Sequence, residues 1–204
     1  MTDLARLLAE IGTCRHCVEH PTRSPLPHQP RPVLRASVTA RIAICGQAPG
    51  TRVHASGIPF TDPSGDRLRD WMGVSSDEFY DLGRIAIVPM GFCFPGLDAK
   101  GSDLPPRGEC APLWRARVLA TMPALKLLLL VGSYAQAWHL PNEKGTMTQT
   151  VQAWRRHLSR SRAIAALPLP HPSWRNSGWL KKNPWFGDQL LPELRTRVRE
   201  LLKT

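Results

Sequence analysis

Short unbroken apolar runs alternate along this chain with stretches in which apolar residues recur every three or four positions. The runs Arg41–Cys45, Ile85–Val88, Lys126–Val131 and Ala163–Leu169 read as strands covered on both faces. The spaced stretches read as helices. One covers residues 2–11 and ends at Gly12, and another covers Ser64–Met72 with Leu68, Trp71 and Met72 on one face. A third spans Glu109–Met122, where Pro112 is tolerated only in the first turn. Ser133 is placed to cap a helix over Tyr134–Leu140, and Thr146 precedes one running to about Ser159. The last, about Asp188–Leu202, collects Leu190, Leu191, Leu194, Val198 and Leu201 on its apolar side, with Pro192 in its first turn. Strands alternating with helices predict an α/β fold with a parallel sheet between helical layers. Two stretches lack any period, the Pro-, His- and Arg-rich Glu19–Pro32 and the Gly/Pro-rich Gly91–Gly108, and read as loops.

A chain of 204 residues is expected to form a single domain over 1–204, and its 42% hydrophobic content is ordinary for a globular protein. The longest aliphatic run, Leu127–Val131, is too short to cross a bilayer, so no membrane association is expected. The Met1-Thr2-Asp3-Leu4 start shows no charged segment leading into an apolar stretch, which points to the cytoplasm. Charge adds a partner class: 27 Lys and Arg face 16 Asp and Glu, a formal net charge of +11. Such a field attracts polyanions, nucleic acid above all, although charge alone names no partner.

Two peptides sharpen this. Gly46-Gln47-Ala48-Pro49-Gly50 follows the first strand, and His171-Pro172-Ser173-Trp174-Arg175-Asn176 follows the last. In open α/β sheets ligands bind where strands end, so the two loops are expected to face one pocket. Cysteines add a second pattern. Cys14 and Cys17 form a Cys-x-x-Cys pair, Cys93 and Cys110 enclose sixteen residues, and Cys45 reads as a small buried strand residue. In a cytoplasmic chain four such thiols suggest metal rather than disulfides. Soft sulfur donors suit an iron–sulfur cluster or structural zinc, and the spacing alone leaves cluster, zinc and no metal open. Arg15 and Arg107 lie near enough in sequence to offset thiolate charge.

Taken in order, Cys-x-x-Cys, Gly-Gln-Ala-Pro-Gly, Gly-x-Pro-Phe (Gly57–Phe60), the second cysteine pair and His-Pro-Ser-x-x-Asn resemble the uracil-DNA glycosylase superfamily, in particular its iron–sulfur branches, families four and five. The resemblance covers about residues 14 to 190. It implies a three-layer α/β/α sandwich with a central four-stranded parallel sheet and a 4Fe–4S cluster on Cys14, Cys17, Cys93 and Cys110, with zinc as the alternative. It implies removal of a deaminated base, uracil first, from single- or double-stranded DNA to leave an abasic site, and the lack of a lysine in a recognised catalytic motif points to a monofunctional enzyme. A monomer is the simplest expectation.

The resemblance also distributes roles. Phe60 stacks on the extruded base, backbone amides around Gln47 and Ala48 bind it, and Gly46 permits close approach. His171 stabilises the departing base anion. Ala48 stands where the best-known family has an aspartate, and a methyl group cannot orient water. Asp62, just after Gly-x-Pro-Phe, is the candidate for that work, or else a helix cap. Pro89 stands where relatives place a base-reading asparagine, so Gln47 substitutes or the pocket accepts more bases. Ser64, Ser173, Trp174, Arg175, Asn176, Lys181 and Lys182 are the expected DNA contacts, with Trp174, Arg175 or Trp179 filling the vacated stack. Trp185 and Phe186 read as packed inward. Ala48 and Pro89 also keep open a weakly catalytic protein that binds damaged or abasic DNA, or a glycosylase for hypoxanthine and xanthine.

Overall fold

The computed structural model describes residues 2–159 and 164–203. The strands are β1 (Ile42–Cys45), β2 (Ile85–Ile87), β3 (Leu127–Val131) and β4 (Ala165–Leu169), all parallel in the order β2-β1-β3-β4. Ala163, the expected start of the last strand, lies outside the described residues.

Side chains alternate between the two sheet faces, and each face is buried by helices, as the apolar runs require. Ala43, Cys45, Ala86, Val88, Leu128 and Leu130 pack with Leu4, Leu7 and Ile11 of α1 (Asp3–Gly12) and with Val118 of α6 (Ala116–Ala120). The opposite face, Ile42, Ile44, Ile85, Ile87, Leu129 and Leu167, packs on Leu68, Trp71 and Met72 of α4 (Pro63–Met72) and on Leu194 and Val198 of α11 (Leu191–Leu202). The result is the expected three-layer sandwich, with Cys45 fully buried inside the sheet.

Prolines reshape two helices. The Glu109–Met122 stretch begins with a π-helical turn over Ala111–Arg115 and becomes α-helical only at Ala116. A second π turn, Phe186–Leu190, leads into α11 with Pro192 in its first turn. A missing amide and a ring crowding the previous turn favour such widened turns. Gly132, with φ 85°, stands at the N-cap of α7 (Ser133–His139), and Ser133 is the first helical residue with no side-chain cap, contrary to expectation. Thr146 does cap, in a reciprocal box with Gln149, but the helix breaks at Ala153 into α8 (Met147–Gln152) and α9 (Trp154–Ser159).

The strand ends are tied before the chain leaves the sheet. Gly46 and Gln47 carbonyls accept the amides of Met90 and Gly91, both at 2.9 Å, so the segments after β1 and β2 stay paired. The Leu169 carbonyl accepts from Gly132 N–H at 2.9 Å and from the buried Gln136 amide at 2.8 Å, which fixes where β4 ends.

The tightest local constraint lies between β1 and α4. Phe60 holds φ 59°, the one non-glycine residue with positive φ among those described. Such a conformation costs an aromatic residue on the order of 1–3 kcal/mol unless its surroundings impose it. Here the Phe60 carbonyl accepts from Tyr80 Oη at 3.2 Å, and a Cβ placed at Gly65 would stand 1.9 Å from that oxygen. Gly65 is therefore required by space, inside a helix where alanine is otherwise favoured. Gly65→Ala is expected to lower stability by about 2 kcal/mol or more despite the gain in helix propensity, measured by urea unfolding.

Candidate active site

The two loops that follow β1 and β4 face one cavity. Its inner part is walled by Val33, Gly46, Pro59, Phe60, Ile87 and Pro89. A wider cleft outside carries Arg52, Tyr134, Ser173, Trp174, Arg175 and Asn176. Gln47, Ala48, Pro49, Gly50, Val53, Asp62, Ser64, Asp103 and His171 line both, and so form the neck between them.

Phe60 forms one wall because Gly46 lacks a side chain: a Cβ there would lie 3.4 Å from Phe60 Cζ. Its ring meets Phe79 edge-on at 6.0 Å, which sets the plane it presents to the pocket. Pro89 lies in the pocket wall, and its carbonyl accepts from the fully buried Arg115 at 2.8 Å. The same guanidinium donates to the Val88 carbonyl and lies 2.6 Å from His139 Nε2. With neither amide nor side-chain donor, and with its carbonyl engaged, Pro89 offers a base only apolar contact.

His171 is half-buried and held from both sides. The Ser173 amide donates to His171 Nδ1 at 3.2 Å, and Asn176 Nδ2 donates to its carbonyl at 2.7 Å. A ring whose Nδ1 accepts carries its proton on Nε2, leaving an N–H donor. Burial pushes its pKa below the usual histidine value, while the Asp62 charge pulls the other way. The lowered pKa favours the neutral imidazole, which suits a donor to a developing anion.

Of the two readings made for Asp62, the helix cap is what the structure shows, at a place that also borders the cavity. Asp62 Oδ1 accepts the Gly65 amide at 3.3 Å as N-cap of α4, and the same residue lines the neck beside His171. Ser64 lies there too. Asp103 was not foreseen. It projects from a turn inside the Gly91–Gly108 loop, and nothing local in Ser-Asp-Leu-Pro marks it. Its neighbour Ser102 accepts from Arg175 Nη2 at 3.3 Å, so this turn and the His171 loop meet across the cleft.

The expected DNA contacts divide. Trp174 is 74% exposed at the cleft, and Arg175 is exposed beside it. Ser173 caps the short turn Trp174–Asn176, and its carbonyl accepts from Arg67 at 2.9 Å. The Asn176 amide is engaged with the His171 carbonyl, so it positions that loop. Lys181 and Lys182 are exposed on α10 (Ser177–Lys182), outside the cleft lining. Trp179, expected as a possible wedge, instead packs inward against Trp185 and Phe186 and donates to Thr148 Oγ1 at 2.8 Å. Trp185 is half-buried and Phe186 buried, as expected.

Cys14, Cys17, Cys93 and Cys110 line a separate pocket with Ile11, Phe92, Arg107 and Trp114, on the helical layer opposite α4. Burial pushes the Cys93 and Cys110 thiols up to about 12, and that of Cys17 also upward. The Phe92 amide donates to Cys110 Sγ at 3.3 Å. Arg107 pairs with Glu109 at 3.0 Å beside this pocket, whereas Arg15 is exposed and pairs with Glu19. Among the described residues, no group of three or more His, Cys, Asp or Glu side chains is arranged to hold a metal ion. No helix of the described residues is long and apolar enough to cross a membrane.

The family model described as the uracil DNA glycosylase superfamily matches residues 34–195, a span that holds the neck, the cleft-lining segments and every inner-pocket residue but Val33. With that match over most of its length, and with the sheet and strand-end cavity described above, the chain belongs to the uracil DNA glycosylase superfamily.

Proposed function

We propose that the protein is a monofunctional DNA glycosylase that draws a deaminated base, uracil first, out of DNA and hydrolyses its N-glycosidic bond. One observation carries this reading: an inner pocket walled by Phe60 joins a wider cleft through a neck bearing His171 and Asp62. A base seated in the pocket with its backbone in the cleft puts the glycosidic bond in that neck. The base stacks on Phe60, near the backbone of Gly46, Gln47 and Ala48. The bond breaks with its electron pair on the base, where the Nε2–H of His171 stabilises the anion. Asp62 faces the sugar as it gains positive charge. Ser64, Ser173, Trp174 and Arg175 hold the strand at the cleft, Lys181 and Lys182 reach phosphates farther along it, and Asn176 keeps the His171 loop in place. Among the described residues no lysine lines the pocket or the neck, which supports hydrolysis by water rather than attack by an amine.

Pro89 favours one broader reading. A pocket wall with no base-reading donor at that point discriminates less among uracil, hypoxanthine and xanthine.

The cysteine pocket belongs to the same proposal as the seat of a 4Fe–4S cluster. Four cysteine thiols lining one pocket supply the soft donors that a cluster takes, with structural zinc as the alternative. Arg107 lines the same pocket, where its charge would offset that of cluster-bound thiolates. Held by Cys14, Cys17, Cys93 and Cys110, such a cluster would tie the N-terminal segment to the segment before α6.

Purified protein incubated with oligonucleotides carrying uracil, hypoxanthine or xanthine, then treated with alkali, is expected to yield strand breaks at the lesion for uracil at least. No breaks with any of the three would defeat the reading, and tight abasic-site binding without turnover would replace it with a damage-binding protein. His171→Ala is expected to lower the single-turnover rate more than about tenfold, because a preorganised donor contributes several kcal/mol; an unchanged rate would remove His171 from the chemistry. Iron and sulfide analysis is expected to give about four irons per chain in a brown protein, against colourless protein with stoichiometric zinc.

A further inference from the structure

Three ionisable side chains stand in the neck: His171, Asp62 and Asp103. The first two have roles above, whereas Asp103 has none. We infer that Asp103 is a catalytic carboxylate of this site, the group that holds the attacking water and takes its proton. The inference rests on the glycosylase reading and assigns the step that Ala48 cannot perform.

Placement is the first argument. Asp103 lines both the inner pocket and the outer cleft, so it borders the point where base and sugar are joined. It reaches this point past Gly50, where a Cβ would come within 3.1 Å of Asp103 Oδ2. The glycine that ends the first loop thus leaves room for the carboxylate beside Ala48.

Support is the second. The turn that presents Asp103 is built rather than loose. Asp98 Oδ1 accepts the amides of Lys100 and Ser102, both at 2.8 Å, Leu97 and Asp103 form an antiparallel bridge, and the Leu104 amide donates to the Gly96 carbonyl at 2.9 Å. Arg175 reaches across from the His171 loop to Ser102, so its charge stands near Asp103.

Division of labour is the third. Asp62 spends Oδ1 on the Gly65 amide, which fixes its orientation and suits it to facing the sugar cation as a charge. Asp103 is the neck carboxylate without such a cap. In the step itself the water oxygen bonds C1′, the C1′–N bond breaks with its electron pair on the base, and the proton of the water passes to the Asp103 carboxylate. Asp103 is exposed, and the protein around it raises its pKa, with Arg175 lowering it and Asp62 raising it. A raised pKa makes a stronger base, and the base form is lost as pH falls. The charged groups facing it are Asp62, Arg175, the His171 ring and, at the cleft edge, Arg52.

The test is single-turnover cleavage of uracil-containing oligonucleotide across pH by wild-type, Asp103→Asn and Asp62→Asn proteins, with binding to an abasic-analogue oligonucleotide measured in parallel. Asp103→Asn is expected to cleave about a hundredfold more slowly, to bind the abasic analogue as wild type does, and to lose the acid limb of the pH profile. In Asp62→Asn that limb is expected to persist and shift to lower pH, because the neighbouring negative charge is gone. Cleavage by Asp103→Asn at the wild-type rate, or a slowed rate with the acid limb intact, overturns the inference while leaving the glycosylase reading standing. A wild-type protein that releases no base removes that reading, and this inference with it.

Discussion

The left-handed turn at Phe60 is the constraint on which the pocket depends. Its carbonyl sits in space that only Gly65 leaves open and is gripped by Tyr80 Oη, whose hydroxyl also donates to the Pro59 carbonyl at 2.9 Å. Turning the backbone there does two things at once. It brings the Phe60 ring under Gly46, where no side chain blocks it, and it delivers Asp62 to the N-terminus of α4 facing the neck. A wall for a flat ring and a charge beside it thus come from one strained residue and one missing methyl group. Strain of this kind persists only where packing over-determines it, and Phe79, Tyr80 and Arg69 crowd the turn here.

The other side of the cavity is set by the sheet. Gly132 and Gln136 fix the end of β4 at Leu169, and His171 follows two residues later. Arg115 does the corresponding work at β2. Fully buried, it holds the Val88 and Pro89 carbonyls from the π turn that begins just after Cys110. A single guanidinium therefore connects the wall of the base pocket to the cysteine pocket. The carbonyls it binds would be left without partners by its removal, and its own charge is tolerated there through those contacts. The physical role of the cysteine pocket in the proposed enzyme is then to hold this segment in register.

Most of the fold was legible because β1 to β4 are buried on both faces, and unbroken apolar runs announce such strands directly. Helix α4 was equally plain from Leu68, Trp71 and Met72, and His171 and Phe60 were found through peptides whose order along the chain is itself informative. What escaped notice was short or made by tertiary contact. Helices α3 (Thr51–Ser56), α5 (Ser76–Phe79) and α10 span too few residues to establish a period. The π turns beside Pro112 and Pro192 have no periodic signature. Trp179 read as a wedge because it lies in the segment after His171 that enters the minor groove in the resembling family, yet its ring closes a cluster with Trp185 and Phe186. Asp103 could not be singled out, since its significance comes from a turn folded back against Gly50 and reached by Arg175, contacts far apart in sequence.

The central claim is spatial: the glycosidic bond lies in the neck, between a base on Phe60 and a backbone in the cleft. A crystal structure with an oligonucleotide carrying a non-cleavable 2′-fluoro analogue of deoxyuridine tests it most directly. The account predicts the base out of the stack and lying on the Phe60 ring, His171 Nε2 within hydrogen-bond reach of a base oxygen, and C1′ facing Asp62 and Asp103. A base still stacked in the DNA, or seated away from Phe60 with the neck carboxylates facing solvent, would contradict it.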